Sequence, residues 1–106
     1  MTFTARDRWG GNERDPPVER LRELLQSLDI EDREHPDVAV KHETEWCLSA
    51  FPSGLLVWEA LEETEDGSAP MHMKGVPREK VLELWLKLAS GDIAAVEAEP
   101  WIPGYY

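Results

Sequence analysis

From Val38 to Ala50 the chain alternates between two sets of residues without a break, and this period of two limits the fold more than any other feature. Val38, Val40, His42, Thr44, Trp46, Leu48 and Ala50 share one side, while Ala39, Lys41, Glu43, Glu45, Cys47 and Ser49 share the other. Such a pattern marks a half-buried strand, expected over residues 38–51. Phe51-Pro52-Ser53-Gly54 follows with a proline whose fixed φ suits a turn and a glycine where φ must be positive, so a second strand is expected over residues 54–63. A three-residue loop sets Phe51 opposite Leu55, Leu48 opposite Trp58 and Trp46 opposite Ala60 on the inner face, with Cys47 opposite Glu59 and Glu43 opposite Glu63 outside. A two-residue loop would exchange the faces of the second strand. The longer loop is preferred because it gathers Trp46, Leu48, Leu56 and Trp58 on one side.

The flanking segments read as helices. Val18, Leu21, Leu24, Leu25 and Leu28 recur at helical spacing, and Asp15 before Pro16-Pro17 is a start signal, so a helix is expected over about 16–28. Pro77 and Glu79 open a second helix at 77–90, whose Val81, Leu82, Leu84, Trp85, Leu86, Leu88 and Ala89 make a stripe wide enough to meet both the sheet and the first helix. Gly91 reads as its stop and Asp92 as the cap of a short helix over 92–98. A third strand is expected at 70–76, placed at an edge by its proline. Residues 1–15 show no apolar period and read as a flexible arm, and residues 16–106 as a single domain. The fold class is therefore α+β: a three-stranded antiparallel meander with one N-terminal and two C-terminal helices packed on one face.

Charge limits the function. The chain of 106 residues has a formal net charge of −11, and residues 31–76 carry −8 of it. The expected register turns Glu43, Glu45, Glu59 and Glu63 outward, with Glu62 beside them, and Glu43 facing Glu63 should be mildly repulsive. A field of one sign repels nucleic acid and attracts a basic protein. No apolar run approaches the ~20 residues of a membrane helix. The charged N-terminus does not read as a signal peptide, and the single Cys47 fits a reducing cytoplasm.

Catalytic constellations are weak. His42 and Cys47 lie on opposite faces of one expected strand, which separates thiol from base, and a neighbouring Glu59 would raise the thiol pKa. His35, His42 and His72 lack metal-ligand spacing, and no glycine-rich phosphate loop is present. Met71 and Met73 read as core fillers, and Trp9, Trp101, Tyr105 and Tyr106 either fold over the core or form a contact patch. The expectation is a non-enzymatic protein, without cofactor or metal, that binds a basic partner protein through Glu43, Glu45, Glu59, Glu62 and Glu63. In architecture and charge alone the chain resembles immunity proteins that neutralise bacterial nuclease toxins; that resemblance implies a stoichiometric inhibitor and assigns no residue. The alternatives are a small-molecule or peptide module using a cleft between helix 77–90 and the sheet, and a self-associating domain pairing through its edge strand or aromatic tail.

Overall fold

In the computed structural model, which describes residues 3–30, 37–60 and 70–104, the chain runs β1 (Phe3–Arg6), β2 (Asn12–Arg14), α1 (Val18–Ser27), β3 (Val38–His42), β4 (Trp46–Ala50), β5 (Leu56–Ala60), β6 (Met71–Met73), α2 (Arg78–Ala89), α3 (Ile93–Glu97) and β7 (Ile102–Pro103). Among these residues the strands make one antiparallel sheet in the order β2-β1-β3-β4-β5-β6-β7. The class is α+β, but the expected three-stranded meander is corrected to seven strands.

The expected strand 38–51 is two strands. The chain reverses through Glu43-Thr44-Glu45, with the Glu45 N–H donating to the His42 carbonyl at 2.9 Å and Glu45 at φ 70°. That left-handed position usually falls to glycine or asparagine. Here Thr44 braces it, its N–H donating to His42 Nδ1 at 3.3 Å and its hydroxyl lying 2.9 Å from the same nitrogen, and Lys41 pairs with Glu45 at 3.5 Å.

The N-terminal arm is also corrected, because β1 pairs with β3, Phe3 facing His42 and Ala5 facing Val40. β1 and β2 are joined by a turn that the Asp7 carboxylate organises, accepting the N–H groups of Trp9 at 2.9 Å and Gly11 at 2.8 Å. A Cβ on Gly11 would lie 2.5 Å from that carboxylate, which explains the glycine. Arg8, buried within this turn, donates to the carbonyls of Ser27 and Ile30 beyond the last turn of α1. The Ser27 carbonyl also accepts the Ile30 N–H at 3.0 Å, and the arginine adds a side-chain donor to both carbonyls, tying the end of the helix to the N-terminal hairpin. Asp15 is not the expected cap: it has φ 48° and accepts the Phe3 N–H at 2.9 Å, while Pro17 precedes α1 without a side-chain cap.

At the other end of the sheet the tail adds β7, so β6 is flanked on both sides rather than at the edge. The edges are β2 and β7, of three and two residues, and short edges limit strand addition by another chain.

The expected β4–β5 register is present: Leu48 faces Trp58, Trp46 faces Ala60 and Cys47 faces Glu59, across a turn with Gly54 at φ 89°. The inner face so formed, from Val38, Val40, Leu48, Leu56 and Trp58, shares one buried cluster with Leu21 and Leu24 of α1, Val81, Leu84, Trp85 and Leu88 of α2, and Val96 of α3. Trp85 Nε1 donates to the Leu48 carbonyl at 3.0 Å, fixing α2 over the middle of the sheet. α2 also packs against α1 as expected, but Leu86, placed in the stripe by its spacing, is 41% exposed. Its end is a Schellman motif, with N–H groups of Gly91 and Asp92 donating to Leu88 and Lys87 carbonyls at 2.9 Å. Asp92 caps α3 through Ala95 N–H at 3.2 Å. Trp101 folds back: its ring centroid is 6.3 Å from that of Trp58, and Trp58 stacks at 4.5 Å on Trp46.

Two stability outcomes follow from these turns. Glu45→Gly removes the cost of a left-handed side chain, about 1 kcal/mol, so its urea midpoint should rise despite the lost Lys41 contact, which is worth little at the surface. Arg8→Leu should lower stability by about 2 kcal/mol, since the hydrogen bonds of a buried, charged guanidinium to two carbonyls are lost; the same urea titration measures it.

Candidate functional site

Alternation assigns the outer face of the sheet. Thr4 and Arg6 of β1, Asn12 and Arg14 of β2, Ala39 and Lys41 of β3, Cys47 and Ser49 of β4, Val57 and Glu59 of β5 and His72 of β6 share it. Its centre is small and buried, with Ala39, Cys47, Ser49 and Val57 each below a tenth exposed. Around Thr4, Arg6, Ala39, Lys41 and Cys47 lies a shallow hollow of about 180 Å³.

The expected acidic plate takes a different form. Glu59 lies on the outer face opposite Cys47. Glu43 and Glu45 instead occupy the β3–β4 turn, at the end of the sheet where β5 also finishes, because Trp46 pairs with Ala60. Glu43 is off the ladder, so the expected pairing with Glu63 is corrected; Glu62 and Glu63 lie outside the described residues. The structure thus brings Glu43, Glu45 and Glu59 to one end, with Glu43 exposed at the turn. Between them and the hollow stands Lys41, bonded to Glu45, while on β1 Arg6 pairs with Asp37 at 2.5 Å. The cations Arg6 and Arg14 reach the outer face only through the N-terminal hairpin, whose short strands gave no periodic signal.

His42 and Cys47 diverge as their parity requires. His42 is buried on the inner face with Nδ1 against Thr44, and Cys47 faces outward with Sγ 3.8 Å from Ser49 Oγ. Burial pushes the thiol pKa up, with smaller contributions in the same direction from Glu59 and Asp37, against opposing ones from Ser49 and Arg6. A thiol held protonated is a poor nucleophile. No group of three or more histidine, cysteine or acidic side chains that could hold a metal occurs among the described residues, and no helix there is long and apolar enough to cross a membrane.

No protein-family model, curated protein or solved structure matches this chain. The site is therefore read from its own residues. Trp9, read from the sequence as either folded over the core or part of a contact patch, is 56% exposed at the tip of the turn that Asp7 organises; sequence reasoning missed that turn, and it missed Ile30, 54% exposed, whose carbonyl Arg8 holds. The signal for the first was present as Asp7-Arg8-Trp9-Gly10-Gly11, an Asx turn with glycines.

The buried thiol sets a pH dependence. Its folded pKa lies above the ordinary value of 9.0, so its contribution is complete below that value and is lost as pH rises through the folded pKa. Urea unfolding of the native chain should therefore weaken more between neutral and alkaline pH than that of Cys47→Ala.

Proposed function

We propose that this protein is a stoichiometric, non-enzymatic binder of a basic partner protein, docking through the acidic end of its sheet. The observation that carries the reading is the convergence of Glu43, Glu45 and Glu59 where the β3–β4 turn meets the end of β5. The sequence as a whole is acidic, with a net charge of −11. A one-signed field at one pole steers a basic surface into register and rejects phosphate-bearing partners, through forces reaching about 10 Å at ordinary ionic strength. The resemblance to immunity proteins rests on charge and the α+β class alone, and an inhibitor that covers a basic active site is the form of binding it suggests.

This reading makes affinity sensitive to salt and to charge while the fold is not. A partner captured on the immobilised chain at low salt and identified by mass spectrometry should bind with a Kd that weakens steadily as salt rises. Glu43→Lys combined with Glu59→Lys should weaken that Kd by at least about tenfold, the scale of two reversed interface charges, with an unchanged circular dichroism spectrum. Equal affinity of the native and reversed proteins for the captured partner, across the salt series, would refute the acidic end as the docking surface.

A further inference from the structure

The outer face of the sheet carries an apolar hollow at the end opposite the acidic turn. Parity places Phe51 and Leu55 outward, and the β5–β6 register, with Leu56 facing Met73 and Val57 facing His72, sets Leu55 beside Lys74 on the same face. Phe51 and Leu55 are held together across the β4–β5 turn, the Phe51 N–H donating to the Leu55 carbonyl at 3.0 Å. With Ser53 and Lys74 they line a hollow of about 420 Å³. The next outward pair along these strands, Val57 and His72, is buried, whereas Phe51 and Leu55 are half-buried and Ser53 and Lys74 exposed. The helices pack on the inner face, so this hollow lies outside the core.

Its chemistry is lopsided. An aromatic ring and an aliphatic side chain supply the walls, and the polar groups are the Ser53 hydroxyl and the Lys74 ammonium. The hydroxyl can donate a hydrogen bond, and the ammonium can only donate. Among the described residues Lys74 makes no ion pair, unlike Arg6, Lys41, Arg78, Lys80 and Lys87. The nearest acid on this face of β5, Glu59, stands four residues from Leu55, about 13 Å along the strand. That exceeds the roughly 10 Å over which charge is felt at ordinary ionic strength. A free cation at the edge of an apolar hollow, with a hydroxyl donor in the same lining, complements a molecule that is apolar along its body and ends in one carboxylate.

We propose that this hollow binds a small apolar monocarboxylate, its hydrocarbon body against Phe51 and Leu55 and its head group toward Lys74 and Ser53. The volume falls within the ~300–1,000 Å³ usual for small-molecule sites, where apolar walls supply affinity and a few polar groups fix orientation. The site is separate from the acidic end and does not depend on what binds there.

The test is an NMR titration of the full ¹⁵N-labelled chain with three probes of one chain length: octanoate, octylammonium and octan-1-ol. Octanoate should shift the amide resonances of Ser53, Leu55 and Lys74 saturably, with a lower Kd than either other probe. Lys74→Gln removes the charge from an exposed side chain and should weaken the octanoate Kd roughly threefold, the scale of one surface ion pair, while leaving that of octan-1-ol unchanged. Leu55→Ser should weaken both, since the two probes share the apolar wall. Thermal unfolding that matches the native chain separates lost binding from lost fold. The proposal fails if octylammonium binds as tightly as octanoate, if either variant leaves the octanoate Kd unchanged, or if octanoate shifts none of these resonances.

Discussion

Two turns of equal length organise the central meander. Glu43-Thr44-Glu45 leaves three residues between β3 and β4, and Pro52-Ser53-Gly54 leaves three inside the Phe51–Leu55 backbone hydrogen bond that closes the β4–β5 turn, so residues of even number face the same way from Val38 to Ala60. An odd loop preserves parity and an even loop would reverse it. Because parity holds across both turns, Val40, Leu48 and Trp58 lie in one cross-strand row beneath α2, and Trp85 can reach the Leu48 carbonyl. If either loop were one residue shorter, half of this row would face the other side and the helices would have no common surface to cover.

The same arithmetic explains what could be read in the sequence. Alternation gave the inner face and the β4–β5 register correctly, since Pro52 and Gly54 announced the turn. It could not reveal the β3–β4 turn, because residues 42 and 46 share a face whether the chain runs straight or folds back over three residues. The usual marker was missing too, with Glu45 in the left-handed position. β1, β2 and β7 escaped for a different reason: they hold two to four residues each and depend on partners distant in sequence. Phe3 is bonded to Asp15, and β7 is placed by β6 about thirty residues earlier. For the site, the acids were visible as acids and the position of Glu59 followed from the register. The gathering of Glu43 and Glu45 at a turn, and the arrival of Arg6 and Arg14 on the outer face, required elements that no local pattern encodes.

The charge distribution follows from this architecture. β4 runs from the turn that carries Glu43 and Glu45 to the cleft lined by Ala50, Phe51 and Leu55, about five residues or on the order of 15 Å away. That exceeds the screening distance of about 10 Å at ordinary ionic strength, so the carboxylates at the turn are felt only weakly at the cleft.

The indoles of Trp46, Trp58 and Trp101 lie nearly parallel, with interplanar angles of 8° and 17° across successive pairs. The outer two belong to β4 and to the segment before β7, so the stack runs from the centre of the sheet to the C-terminal tail. Rings this close share an excited state, and the resulting optical couplet depends on their spacing and tilt. The seating of the tail against the sheet is thereby written into the ultraviolet spectrum of the protein, an intrinsic gauge that needs no attached label.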